Sequence, residues 1–186
     1  IRETTENIQK GEKKLLYISL GTVNNIMLNF YKNCITALKD SEYQVIMSVG
    51  NNIDPEKLGE IPSNFEVYHS VDQIAVLQKA DAFLTHCGMN SVSESLYMAT
   101  PMILYPQTSE QQAVARRAKE IGTGVMLTND SAQGIRSAVL EILNNNTYAA
   151  GAKECSEDFR SCSGPAGAAA FIETAPHESA GVDILE

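Results

Sequence analysis

Short apolar runs alternate with amphipathic stretches along this chain, and the alternation predicts a strand followed by helical structure six times over. Residues 14–20 (KLLYISL) are the first apolar run, ending at Gly21-Thr22. Helical spacing follows over residues 26–39, where Ile26, Phe30, Cys34, Ile35 and Leu38 recur on one face. A second strand is expected over 43–49, a short irregular or helical piece after Asp54-Pro55, and a third strand over 65–69, beyond the interruption at Pro62. Next come a helix over 71–79, a strand over 82–85 and a helix over 91–99. Pro101 separates that helix from a strand at 102–105, and a helix over 109–121 closes at Gly122 and Gly124. A short strand at 125–127, helices at 131–143 and 148–160, and an alanine-rich helix after Ser163-Gly164-Pro165 complete the pattern.

Six short strands joined by helices imply an α/β fold with a Rossmann-like, doubly wound parallel sheet, because parallel strands need crossover connections. In the common doubly wound order the first and fourth strands are neighbours where the chain reverses direction, and ligands bind at their carboxyl ends. The loop at Gly21-Thr22 and the junction after residue 85 are therefore expected to meet in one crevice. No G-x-G-x-x-G follows the first strand, which counts against a dinucleotide-dependent dehydrogenase. Residues 14–174 read as one domain, 1–13 as a polar linker and 175–186 as a frayed tail. The first residue is Ile and not Met, which suggests a piece of a longer protein.

Composition narrows the choice of ligand. With 186 residues, 44% of them hydrophobic, the chain can bury one core of comfortable size. A formal net charge of -9 argues against a sequence-independent grip on nucleic acid or on an anionic membrane surface, which needs a basic face. No apolar run approaches the ~20 residues of a membrane-spanning helix, so no stable membrane insertion is expected. Cys34, Cys87, Cys155 and Cys162 lack zinc-ligand spacing, and reduced thiols in a cytoplasmic protein fit them best. An anionic ligand would have to be held by local dipoles and not by net charge.

The stretch Phe83-Leu84-Thr85-His86-Cys87-Gly88-Met89-Asn90-Ser91-Val92-Ser93-Glu94 offers such dipoles. A strand, a glycine turn and a helix N-terminus leave several backbone N–H groups unpaired and pointing at the loop, so an anion is the natural occupant. His86, Asn90 and Ser91 add side-chain donors, and Gly88 lets the backbone approach closely. Together they read as a diphosphate cradle. Ser91 with Glu94 three positions on also matches a capping box, which stabilises many helices without any ligand.

Thr85-His86-Cys87-Gly88-Met89-Asn90-Ser91, then Glu94, Pro101, Pro106, Glu110-Gln111, Ala113 and Gly122-Thr123-Gly124, resemble the donor-binding signature of UDP-sugar-dependent glycosyltransferases, in particular the bacterial macrolide type. The resemblance runs from about Lys14 to Glu173. It implies the C-terminal half of a two-domain GT-B-type enzyme. It further implies that His86, Gly88, Asn90, Ser91 and Thr22 hold the diphosphate. Ser48, Ser70, Val71, Gln73 and Glu94 would lie at the ribose and base, with Glu94 accepting from ribose hydroxyls, and Met89, Glu110 and Gln111 at the sugar. Taken without the family, Glu110-Gln111 is simply a solvated first helical turn.

The activity implied is inverting transfer of a sugar from a UDP-sugar, UDP-glucose being the donor expected first, to a hydroxyl of a small-molecule acceptor. The acceptor and the general base would come from the absent N-terminal domain, so this chain would hold no catalytic residue and bind donor without turnover. No cofactor and no metal are implied, and the sequence contains no Asp-x-Asp. A nucleotide-sugar epimerase or a catalytically silent nucleotide-sugar-binding module remain the alternatives. One departure matters: Ser70-Val71-Asp72-Gln73 stands where relatives carry an aromatic residue before Pro-Gln, whose ring stacks on uracil. Weak discrimination among nucleoside diphosphates follows, unless Tyr68, His69 or a neighbour compensates.

Overall fold

The computed structural model describes residues 11–22 and 26–174. Most of the expected linker and the whole of the expected tail lie outside these residues. The elements run β1 (Leu15–Ser19), α1 (Leu28–Leu38), β2 (Gln44–Ser48), a 3-10 turn (Pro55–Leu58), β3 (Phe65–Tyr68), α2 (Gln73–Leu77), β4 (Ala82–Thr85), α3 (Met89–Tyr97), β5 (Met102–Leu104), α4 (Ser109–Glu120), β6 (Gly124–Met126), α5 (Ala132–Asn144), α6 (Asn146–Ser161) and α7 (Gly164–Thr174). The six strands form one parallel sheet in the order β3-β2-β1-β4-β5-β6. This is the doubly wound arrangement expected from the alternation, with β1 beside β4 at the reversal point.

Both faces of the sheet are apolar, which is why its strands read as continuous hydrophobic runs. Leu16 and Ile18 of β1 face one way and pack with Phe30, Cys34 and Leu38 of α1 and Ile135, Val139 and Ile142 of α5. Leu15 and Tyr17 face the other way, with Val76 and Leu77 of α2, Val92 and Leu96 of α3, and Ala115 and Ala118 of α4. The strands end in a common register, Ser19 opposite both Ser48 and Thr85, and Ser48 opposite Tyr68. Small hydroxyl side chains thus occupy the carboxyl edge of the three central strands, where a larger residue would fill the space above them.

Several boundaries differ from expectation by one or two residues, and three of the differences have a structural consequence. Ile26 lies outside α1 and is 66% exposed, because the helix begins only at Leu28. α2 is shortened at its start by Asp72, whose carboxylate accepts from Ala75 N at 3.1 Å and so caps the helix. α3 begins at Met89, two residues earlier than the pattern suggests, with Gly88 as its N-cap and no side-chain cap. Ser91 therefore sits inside the first turn, and the capping box expected between Ser91 and Glu94 does not form. A capping box is present instead at α4, where Thr108 Oγ1 accepts from Gln111 N at 3.3 Å and Gln111 Oε1 accepts from Thr108 N at 3.2 Å.

Candidate functional site

The carboxyl ends of β1 to β4 open into a cleft of about 570 Å³. β1 and β2 contribute Tyr17, Ser19 and Ser48; the following loops contribute Gly21, Thr22, Gly50, Asn51, Asn52, His69, Ser70 and Val71; and the α2–α3 side contributes Gln73, His86, Asn90, Ser91 and Glu94. Of the expected site residues, Thr22, Ser48, Ser70, Val71, Gln73, His86, Asn90, Ser91 and Glu94 meet here. Gly88 stands against the His86 ring at the cleft margin. Met89 is 56% exposed at the start of α3, and Glu110 and Gln111 sit in the first turn of α4; these three do not line the cleft. Gln111 is already engaged through its amide oxygen, which accepts from Gln107 N at 2.8 Å as well as from Thr108 N.

The turn from β4 into α3 is built by backbone geometry that few residues adopt. Cys87 has φ 66°, in the left-handed region. Its N–H donates to Thr85 Oγ1 at 3.2 Å and its buried Sγ packs below the turn, where burial pushes the thiol up to about 12. Cys87 is thus a structural residue and not a reactive thiolate. The first helical hydrogen bond runs from Val92 N to Gly88 O at 3.0 Å, so the N–H groups of Met89, Asn90 and Ser91 have no partner one turn back.

His86 is held between two glycines. A methyl group added at Gly21 would lie 2.5 Å from His86 Cε1 and 2.7 Å from Nε2, and one added at Gly88 would lie 2.6 Å from Nε2. With the ring in this position neither side has room for a Cβ, so a side chain there would displace the imidazole, and Gly21, at φ 74°, also occupies a conformation that disfavours other residues. Burial lowers the His86 pKa from its ordinary 6.5, which keeps the ring neutral at pH 7. Its Nδ1 is buried with no hydrogen-bond partner. A buried N–H without an acceptor is rarer and costlier than an unpaired lone pair, so the single proton belongs on Nε2.

A second network lies further along the cleft. Gln73 Nε2 donates to Glu94 Oε2 at 2.6 Å and to Ser91 Oγ at 3.2 Å, while Gln73 Oε1 accepts from Tyr17 Oη at 3.2 Å. Tyr17 is stacked on Phe83 at 4.7 Å, and burial raises its pKa, which keeps the phenol a donor. Tyr17, Ser19, Gly50, Asn51 and Asn52 were not among the expected site residues, and His69 was named only as a substitute for the missing ring. Gly50-Asn51-Asn52, a polar turn directly after a strand, carried a usable signal; Tyr17 did not, because within a strand it reads as core.

Residues 2–158 match the family described as UDP-glucoronosyl and UDP-glucosyl transferase. The NDP-glycosyltransferase YjiC of Bacillus subtilis is 41% identical over 175 residues, which cover 93% of this chain and 45% of that protein. The oleandomycin glycosyltransferase of Streptomyces antibioticus is 32% identical over 138 residues, covering 73% of this chain and 35% of that one. Among solved structures, the calicheamicin glycosyltransferase CalG4 superposes with a TM-score of 0.80 at 30% identity, over 87% of this chain and 43% of its own. The chain spans under half the length of these relatives. No helix among the described residues is long and apolar enough to cross a membrane.

Proposed function

The chain belongs to the UDP-glucoronosyl and UDP-glucosyl transferase family, and on that premise we propose that it is the nucleotide-sugar donor-binding half of an inverting glycosyltransferase. The observation that carries the proposal is the neutral His86 imidazole, fitted between Gly21 and Gly88 at the N-terminus of α3. Glycosyl transfer expels a nucleoside diphosphate, so negative charge grows on the leaving phosphate as the acceptor hydroxyl attacks the anomeric carbon. The Nε2–H of His86, the free N–H groups of the first turn of α3, Asn90, Ser91 and Thr22 would stabilise that charge, and the helix dipole favours it further. They are fixed before the reaction begins, so no reorganisation is needed at that moment.

Glu94 would accept from the ribose hydroxyls, Gln73 would hold that carboxylate in place, and Ser48, Ser70 and Val71 would border the base. Met89, Glu110 and Gln111 would contact the sugar; they sit outside the enclosed part of the cleft, where the acceptor half would close over it. In this scheme the donor is a UDP-sugar, with UDP-glucose the first to test. The acceptor, a small molecule with a free hydroxyl, and the base that activates it would bind on the half that this chain does not span. Residues 14–174 would form the donor domain, with 1–13 linking it to that half. Holding two reactants together can supply about 7–11 kcal/mol of barrier lowering, so the chain alone should bind donor without measurable transfer.

Calorimetric titration of UDP tests the site. Wild type should bind and His86→Ala should bind at least tenfold more weakly; the loss of a hydrogen bond to a charged group corresponds to about 1.5–3 kcal/mol. Equal affinity for the two proteins would remove His86 from the cradle. Transfer is then measured with UDP-sugars and phenolic or macrolide acceptors, first with this chain and then with the acceptor half joined to it. Comparable rates in both would mean that the base lies within this chain.

A further inference from the structure

The cleft departs from the donor-site pattern at its far end, where Ser70 offers no ring for a base to stack on, and the structure supplies another group there. We propose that His69 reads the nucleobase, accepting a hydrogen bond from a ring N–H of uracil through Nε2. The proposal rests on the donor-site reading above and names the base that this site selects.

Of the two neighbours named as substitutes for the missing ring, Tyr68 is excluded by its burial, 2% exposed, and by the bond from its hydroxyl to Glu66 Oε2 at 2.8 Å. His69 is half-buried and lines the cleft beside Ser70. Its Nδ1 lies 3.0 Å from Gly50 O. A carbonyl oxygen can only accept, so Nδ1 carries the proton, and in the neutral ring Nε2 is left as a lone-pair acceptor. Nε2 has no partner among the described residues and is not among the buried polar atoms.

The ring is also fixed in place. Gly50 N donates to His69 O at 2.9 Å and Ser48 Oγ donates to the same carbonyl at 3.3 Å. With the bond from Nδ1 to Gly50 O, three hydrogen bonds tie the end of β2 to the end of β3 at this point. Two of these hold the main chain of His69, and the third, at Nδ1, sets the orientation of the imidazole, which is what a specificity contact requires. The sheet order puts β2 and β3 on the side of β1 away from α3. A nucleotide with its diphosphate at His86 and its ribose at Glu94 would therefore extend its base toward His69.

An acceptor at Nε2 separates the bases by chemistry. Uracil offers an N3–H donor between two carbonyls, whereas N3 of cytosine and N1 of adenine are lone-pair acceptors that would face Nε2 with no proton between them. A site built to hydrogen-bond a donor rejects the analogue that lacks it.

The test is titration of the 186-residue chain with UDP, CDP and N3-methyl-UDP, in wild type, His69→Ala and His69→Phe. Wild type should prefer UDP over CDP and over N3-methyl-UDP by roughly tenfold or more. Both variants should lose that preference, and the phenylalanine variant, which keeps a ring and lacks an acceptor, separates hydrogen bonding from stacking. Equal wild-type affinity for UDP and N3-methyl-UDP, or an unchanged preference in both variants, overturns the assignment of His69 while leaving the cradle intact. No binding of any of the three nucleotides by folded wild type, checked by circular dichroism, overturns the donor-site reading and the role of His69 with it.

Discussion

Gln73 donates to Glu94 Oε2 at 2.6 Å while its amide oxygen accepts from the hydroxyl of Tyr17, 3.2 Å away. The carboxylate, which can only accept, fixes which way the amide faces, and the phenol, which can donate or accept, completes the arrangement by donating to the amide oxygen. The reverse orientation would put an amide oxygen against a negatively charged oxygen. Tyr17 is thus a positioning residue in the centre of the sheet, acting on the carboxylate proposed to hold ribose.

Tyr17→Phe removes only the hydroxyl and keeps the ring stacked on Phe83. The expected outcome is a folded protein that binds UDP a few-fold more weakly, for the loss of about 1 kcal/mol of hydrogen bonding. Its preference for UDP over 2′-deoxy-UDP should shrink by the same factor. Titration of both nucleotides checks this, and an unchanged ratio would show that Glu94 needs no support from Gln73.

The glycines around His86 are predicted to matter through the ring and not through the backbone. Gly88 has φ -61°, which any residue adopts, so the cost of Gly88→Ala is the contact with the His86 ring. The substitution should weaken UDP binding about tenfold in wild type and have little further effect when His86 is already alanine. A double-mutant cycle by calorimetry reads the coupling, expected on the order of 1–2 kcal/mol. Additive effects would mean that Gly88 acts independently of the histidine.

Acid should destabilise the protein through His86. The unfolded chain takes up the proton near the ordinary 6.5, whereas the folded chain does so only below it, because burial disfavours the charged ring. Between those values the unfolded state holds more protons, so stability falls as pH falls through this window and is restored above it. Thermal melts of wild type and His86→Gln from pH 7.5 to 5 should show wild type losing ground to the variant. Parallel curves would place the titrating group elsewhere.

Ser70 lies exposed at the edge of the cleft, next to His69. Ser70→Trp should add a stacking surface worth about 1–3 kcal/mol and tighten UDP binding tenfold or more. Titration of UDP against wild type and variant measures it; no gain would mean that the base does not reach this edge.

Removing the Thr108 hydroxyl should cost stability without touching the cleft. Thr108→Ala deletes one side of the capping box of α4 and is expected to lower unfolding free energy by about 1 kcal/mol, read from urea denaturation. An equal loss in UDP affinity would link α4 to the nucleotide.

The fold was legible in the sequence because parallel strands buried on both faces leave uninterrupted apolar runs such as residues 14–20, and because each run is followed by helical spacing. The neighbouring of β1 and β4 was expected from the common doubly wound order, which the sheet follows, and it brings the loops after these strands together. The clustering of His86, Gly88, Asn90 and Ser91 at one strand-to-helix turn beside the cleft was legible too, since they are neighbours in sequence and such a turn has known orphan donors. Tertiary structure alone decided what each side chain is engaged with. Ser91 and Glu94 fit a capping box at their spacing, but helix α3 starts two residues earlier and both turn to Gln73, which is 18 and 21 positions away in sequence. Tyr17 became visible as part of the candidate site only once the strands were in register, and of the two residues named as substitutes for the missing ring, His69 lines the cleft while Tyr68 is buried. Local spacing encodes which backbone groups are left unpaired; it does not encode which distant side chain arrives to pair with them, because that depends on how separate strands align.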